Sequence, residues 1–507
     1  MPLRPLNREQ AWLLPPTLGE LIPNDHPARF VAEFVEGLDG AVWIELGIGS
    51  EGDPLGAPAY HPRALLSVWL YGFMTGTRSS RKLEAACRDE VPYLWLTGWQ
   101  RPDHNTLWRF YQAHRQALRS LLKYTVATAM EMNLIDLAVQ AVDGTKISAN
   151  AAGDRTYDAA GLQRLLVRAE SAIAELEVQN EACNDPLSPR LPVELQQVKV
   201  LRQQVREAMS HLVRNKESRV NLTDEDAQLM KGRSGITIGY NAQAMVSPLN
   251  PEKGSGTLVT AVEVVNSASD SGQLVPMLEK AEEMTGKRVP VTLADGGYHT
   301  AASLQAGDSR GQLLVMGERY HEEVRGPYFK DRFTYDTATD SYICPQGQRL
   351  PFRGLRKSPV TGSQSIRLYR AHRAACRACS AFGVCTKDAH GGRALWIGSS
   401  DVLLRKHRLW MSTPEARSLY SRRKELSEPT FGIIKDQLGA RRFLLRSLAN
   451  VRAEFSLIAA AFNLKMLCQI WKRTMKAPQV ISNPLLAVTL VLSRLNLGLP
   501  FRSRLAF

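Results

Sequence analysis

From Pro2 to about Met132, apolar residues recur at helical spacing, broken by turns at Pro15-Pro16, Asp53-Pro54 and Arg101-Pro102. His61–Gly72 has proline at its start and sets Leu65, Val68, Trp69 and Tyr71 on a largely apolar surface, which predicts a core helix. Ser79–Arg88 reads as a short amphipathic helix behind a serine cap, and Pro102–His114 as a helix capped by Asp103 or Asn105. The second of these carries Arg109 and His114, with Arg115 just beyond. The pair has the layout of a helix-turn-helix with a basic second helix; the alternative is that both helices only pack on a core.

The period then changes. Leu137–Ser148 holds a β-rich apolar run that ends on Asp143-Gly144, and Val289–Tyr298 repeats the arrangement with Asp295 before two glycines. Each acid is expected at a strand end, where a rigid sheet presents a carboxylate while the loop beyond admits water and metal. An Asp-Gly pair is also a common turn. Between the two lies a segment of roughly residues 154–219, rich in Leu, Ala, Glu, Gln and Arg and broken from Asn184 to Pro192, which predicts a helical hairpin. Residues 235–246 and 257–266 predict a β-hairpin, 271–284 a helix, a segment from about Thr300 another helix, and Gln312–Met316 a strand. The order strand, strand, strand, helix, strand, helix, strand suits a mixed sheet covered by helices, with Asp143 on the first strand and Asp295 on the fourth.

Between about Tyr328 and Trp396 the helical period fades, and aromatic residues, arginines and glycines accumulate. This stretch is expected to lack the apolar residues for a core of its own. It holds Cys344, Cys376, Cys379 and Cys385, a spacing that predicts one tetrahedral zinc, with His372 and His390 as alternative ligands; the rival reading is unrelated reduced thiols, since Cys344 has no CxxC partner. Cys87, Cys183 and Cys468 are scattered and read as packing residues. Seven cysteines without an export signal argue against a disulfide framework.

A formal charge of +14 with pI near 9.5 points to a polyanion, with nucleic acid the leading partner class. The first residues lack a signal peptide's apolar core, and no run approaches about 18 uncharged apolar residues. The expectation is a cytoplasmic protein without a membrane partner, in which Leu485–Leu492 is a packed helix.

In Tyr420–Asp436, Glu428 and Lys435 stand seven apart and would share a face of a continuous helix, but Pro429 predicts a kink or a fresh helix start at Glu428. Together with Asp143 and Asp295, this segment resembles the DDE transposases of bacterial insertion sequences, specifically the group with a cysteine-bearing insertion before the glutamate helix. The resemblance runs from His61 to about Leu467. It is carried by Ala141-Val-Asp-Gly-Thr-Lys-Ile, Gly239-Tyr-Asn-Ala-Gln, Ala294-Asp-Gly-Gly-Tyr, Glu428-Pro-Thr-Phe-Gly-Ile-Ile-Lys and Arg441-Arg-Phe-Leu-Leu-Arg446.

The resemblance implies an α/β (α+β) fold: an RNase H-like catalytic core with a mixed sheet, an α-helical N-terminal DNA-binding domain (1–135) and a small zinc-binding insertion. The core would take residues 136–327, the cysteine-rich insertion 328–400, the glutamate helix and the rest of the core 401–476, and a tail 477–507. Asp143, Asp295 and Glu428 are implied as the catalytic triad holding two Mg²⁺ or Mn²⁺, with Glu425 the fallback acid. Tyr420, Arg423 and Lys435 are implied as the residues that accompany the glutamate. The family's signature has three residues between arginine and glutamate, whereas four separate Arg423 from Glu428, so Lys424 competes for that role. Double-stranded DNA, both element ends and target, is the implied partner, with a homodimer on the DNA. Arg109 and Arg115, or Arg441, Arg442 and Arg446, would contact it. A nuclease of the same fold that stops at hydrolysis, and a DNA-binding protein without catalysis, are the rival readings.

Overall fold

The computed structural model describes residues 16–49, 59–182, 193–232, 235–317, 326–357, 365–388 and 390–476. The turn at Asp53-Pro54, the break from Asn184 to Pro192, Cys183 and the 477–507 tail with Leu485–Leu492 lie outside them.

Among the described residues, seven α-helices come first: α1 (Pro27–Glu36), α2 (Gly40–Glu45), α3 (Pro62–Thr75), α4 (Ser80–Asp89), α5 (Val91–Leu96), α6 (His104–His114) and α7 (Leu121–Glu131). Local chemistry sets several ends. Pro62 opens α3 behind His61, whose ring accepts from the Arg63 amide, and Gly76 closes it in the left-handed region at φ 84°. Asp103, not Asn105, caps α6 by accepting from the Thr106 amide at 2.7 Å. Ser79 stands at the α4 cap position, but its hydroxyl makes no capping bond.

The sheet follows. Strand β1 (Val139–Ser148) leads through β2 (Thr156–Asp158) into the hairpin α8 (Ala159–Ala182) and α9 (Val193–Asn215), and back through β3 (Arg219–Asn221) and β4 (Gln228–Gly232). Pairing of β2 with β3 closes the base of the hairpin, and Leu162, Val205, Leu212 and Val220 fill it. Next come β5 (Gly235–Pro248), β6 (Thr257–Val265), α10 (Leu274–Thr285), β7 (Val291–Ala294), α11 (Ala301–Arg310) and β8 (Leu313–Met316). Strand β5 pairs antiparallel with β1, β4 and β6; β1 pairs parallel with β7, and β7 with β8. This is the mixed sheet that the order of elements predicted.

Alternation along the strands gives the sheet two apolar faces. Val142, Met245 and Ala294 pack beneath α10 and α11 with Leu278 and Leu304. Ala141, Ile147, Ala244 and Leu293 belong to the main core, which also takes in Phe34, Trp69, Leu107 and Phe455 from the helices. The N-terminal region, expected as a domain in its own right, therefore shares one core with the sheet. The reason is α15 (Leu448–Lys476), which packs against α3, α7 and β6 together. It is long and apolar enough to cross a membrane, but 89% of its most apolar stretch is buried within the protein. Arg78, at the foot of α4, pairs with buried Glu454 of α15 at 2.7 Å.

The cysteine-bearing stretch departs from expectation. Strands β9 (Thr334–Asp336), β10 (Ser341–Ile343), β11 (Arg349–Lys357), β12 (Ser365–Arg370) and β13 (Ala394–Ile397) form an antiparallel meander, with α12 (Arg373–Arg377) between the last two. Phe333, Tyr342, Leu350, Tyr369 and Leu395 give it a small core of its own. Its apolar residues alternate with arginines and glycines along the strands, so its composition hides them.

Then come α13 (Asp401–Met411) and α14 (Pro414–Gly432), followed by π turns over Ile433–Gln437. Helix α14 continues through Pro429, so of the kink or fresh helix start expected at Glu428 the fresh start does not occur. Burial of Leu426, Thr430 and Phe431 holds together a helix that proline would break in isolation, and the carbonyl left without a donor belongs to exposed Glu425, where water reaches it.

Candidate active site

The parallel pairing of β1 with β7 ends at Val142↔Ala294. Asp143 and Asp295 are the next residues on each chain, so they stand side by side where the two strands part. Asp143 is not at a strand end, as the sequence suggested. It lies in mid-strand opposite Ala244, because β1 continues along β5 to Ser148 after leaving β7. Gly144 is accordingly part of a strand, not of a turn.

Helix α14 crosses this point. The Asp143 carboxylate accepts from the Arg423 guanidinium at 3.0 Å and from the Gly144 amide at 2.8 Å. Burial pushes its pKa up, Arg423 pulls it back, and the neighbouring charge of Asp295 raises it again, leaving it above the ordinary carboxylate value. Asp295 caps the short 3-10 turn Gly296–Tyr298, accepting from the Gly297 amide at 2.7 Å. Tyr420 packs over Gly317 after β8, and the Arg423 guanidinium lies 5.8 Å from its ring centre. The Arg423 Nε–H is buried and has no acceptor among the described residues.

These groups open onto a cleft of ≈ 950 Å³ lined by Asp143, Asp295, Glu428, Arg423 and Lys435, with Lys146, Lys231 and Arg441 along it. The two strand acids, separated by over 150 residues, thus meet the glutamate helix in one place. Arg423 faces the acids, whereas Lys424 and Glu425 are exposed and do not line the cleft. Among the described residues, no three His, Cys, Asp or Glu side chains form a ready-made metal-binding group.

The other basic candidates divide. Arg109 is exposed on α6 beside Asn105, Trp108 and Gln112. Arg115 is tied to Asn450 at 2.8 Å and to the Gln112 carbonyl. Arg442 and Arg446 donate to the carbonyls of Ala149, Ala151 and Asn150, fastening the loop after β1, and Arg441 pairs with Asp436 at the surface. Sequence reading overlooked Lys231, Lys146 and Asp270 near the cleft. Lys146 sits inside the quoted Asp143 motif, but nothing in the sequence marks Asp270.

Away from the cleft, Cys344, Cys376, Cys379 and Cys385 line one cavity of ≈ 20 Å³. Backbone amides point at two of the sulfurs, Gln348 N–H at Cys344 (3.2 Å) and Arg393 N–H at Cys376 (3.4 Å). Burial pushes the Cys385 thiol up, Arg393 pulls it down, and the other three cysteines raise it. His372 and His390 do not line this cavity.

Residues 343–468 match the family described as Transposase DDE domain, and residues 16–113 match the Transposase domain (DUF772). Two separate stretches of the chain are thus similar to transposase domains, which supports the resemblance to the DDE transposases of insertion sequences. Glu428, Arg423 and the four cysteines fall inside the first match, and α6 inside the second, while Asp143 and Asp295 lie outside both. No curated protein and no solved structure matches it.

Proposed function

We propose that the transposase cuts the ends of its element and joins the freed 3′-hydroxyl to target DNA at this one cleft, using Asp143, Asp295 and Glu428. The observation that carries the reading is that Asp143, Asp295 and Glu428 line one cleft with Arg423, which pairs with Asp143, and with lysines along its edge. An RNase H-like core is supported by the mixed sheet and by the placing of both aspartates where its parallel and antiparallel halves divide.

A divalent cation suits this donor set. The two adjacent carboxylates raise the charge density that Arg423 now only partly offsets, and hard oxygens are the ligands that Mg²⁺ and Mn²⁺ take. Asp143, Asp295 and Glu428 would hold two such ions, which supply activation of the attacking hydroxyl and stabilisation of the leaving oxygen. The protein's own groups do the rest. Arg423, whose side chain lines the cleft, binds a phosphate oxygen, Lys435 offsets further phosphate charge, and Tyr420 braces Arg423.

We assign a structural zinc in the insertion to the four cysteines, which line one cavity with backbone amides pointing at two of the sulfurs, although no three of them form a ready-made metal-binding group. Recognition of element ends is assigned to the exposed α6 stripe of Asn105, Arg109 and Gln112, residue types that read base edges. The work is done in the cytoplasm on double-stranded DNA.

The test is product mapping with purified protein on DNA bearing the element's own ends. Nicks at the ends and joined products, both lost in Asp143→Asn, are expected. Nicks without joining would make it a nuclease, and full activity of Asp143→Asn would overturn the reading.

A further inference from the structure

Behind the two aspartates runs a network of buried and half-buried polar groups that meets the cleft at Lys146. Asn241 and Gln243 of β5 stand opposite Lys146 and Gly144 of β1, on the face turned away from α14. Both amides are fully buried. Gln243 Nε2 donates to Asn241 Oδ1 at 2.9 Å and to Asp270 Oδ1 at 2.8 Å; Asn241 Nδ2 donates to the same Asp270 oxygen at 2.7 Å and to the Ser267 carbonyl at 3.2 Å. Lys146 reaches that oxygen at 3.3 Å. The Tyr298 hydroxyl donates to Gln243 Oε1.

One charge orients the whole chain. An ionised Asp270 only accepts, so both amide nitrogens must face it, which leaves Gln243 Oε1 turned to Tyr298. Burial and the charges of Asp270, Asp143 and Asp295 push the Tyr298 phenol well up, so it keeps its proton and donates. Tyr298 ends the turn that Asp295 caps, so its anchor sets the position of that carboxylate. On the other side, Gly144 follows Asp143. A Cβ at Gly144 would come within 2.4 Å of Gln243 Nε2 and 2.6 Å of Asp270 Oδ1, and one at Gly297 within 3.2 Å of Asp270 Oδ2. The glycines behind the two aspartates therefore serve to let this network touch the backbone at both.

We propose that Asp270 is a positioning residue that, through Asn241, Gln243 and Tyr298, sets the separation of Asp143 and Asp295. It rests on the reading of the cleft as a metal-dependent catalytic site and says what holds that site to its spacing. A misplaced carboxylate pair binds a divalent ion poorly, and partners that orient metal ligands from behind typically account for ten- to hundredfold in affinity.

The experiment is Mn²⁺ titration of the full chain by calorimetry, without DNA, for wild type, Asp143→Asn, Asp270→Asn and Tyr298→Phe, with melting curves alongside. Wild type should bind Mn²⁺, Asp143→Asn should lose the site, and Tyr298→Phe and Asp270→Asn should bind roughly ten- to hundredfold more weakly. Their cleavage should recover more in Mn²⁺ than in Mg²⁺, because Mg²⁺ demands stricter geometry. A change in stability alone would not move the Mn²⁺ affinity. Should Asp270→Asn fail to fold, Tyr298→Phe, which keeps the ring in its core, carries the test. Wild-type affinity in the folded variants, with Asp143→Asn defective, overturns this proposal alone. Unchanged binding by Asp143→Asn overturns the metal site and this proposal with it.

Discussion

Arg423 and Asp143, 280 positions apart in the chain, form an ion pair at 3.0 Å with both side chains mostly buried. Removing one partner leaves an uncompensated charge in a low-dielectric site. Arg423→Ala should lower the melting stability by up to about 3 kcal/mol and suppress cleavage, whereas exposed Lys424→Ala should change neither by more than about twofold. Equal losses for the two would mean that the arginine's place in the helix register has been misassigned.

Glu428 lines the cleft and Glu425 does not. Glu428→Gln, like Asp295→Asn, should cut the cleavage rate by roughly 10³-fold or more, because several kcal/mol of transition-state charge stabilisation go with it. Binding to end DNA should persist. Glu425→Gln should stay near wild type in the same gel assay, and a severe defect there would displace Glu428 from the triad.

His407 of α13 is buried against the Leu314 carbonyl at 3.2 Å. Burial holds its pKa below the ordinary 6.5, with Arg408 lowering it further and the carbonyl bond opposing. The unfolded chain therefore takes up a proton that the folded chain refuses. The stability concerned is present above about pH 6.5 and is lost as the pH falls through the folded value, at most about 1.4 kcal/mol per pH unit. Urea midpoints at pH 5.5 and 7.5 should differ more in wild type than in His407→Gln.

The four clustered thiols predict about one zinc per chain under reducing conditions. Chelation should expose the β9–β13 meander to protease before the sheet is touched, since a bound zinc would add on the order of 10 kcal/mol to a module with only a small core. Zinc-free protein with a fully protected meander would remove the metal from the account.

Arg109 and Arg115 should behave differently. Arg109→Ala is expected to weaken end DNA by about 1–3 kcal/mol and random duplex little, if it reads a base edge. Arg115→Ala should lower stability instead, since its guanidinium bonds Asn450. The comparison needs the whole chain, because helices α1 to α7 share their core with α15 and the sheet. A uniform loss on all DNA for Arg109→Ala would indicate a phosphate contact.

Most of the helix and strand order up to β8, apart from the short strands β2–β4, was legible in the sequence, as were the two aspartates and the glutamate segment as candidates, because periodicity and turn chemistry are local. So was the cysteine spacing. What the chain could not display is register: that Val142 faces Ala294 and so sets Asp143 beside Asp295, that Arg423 and not Lys424 turns inward, and that α14 survives Pro429. These depend on partners more than a hundred residues away, whose packing overrides local preference. The same holds for Asp270, an unremarkable loop residue in the sequence. Its buried amide partners come from a neighbouring strand, and only the folded sheet brings them to it.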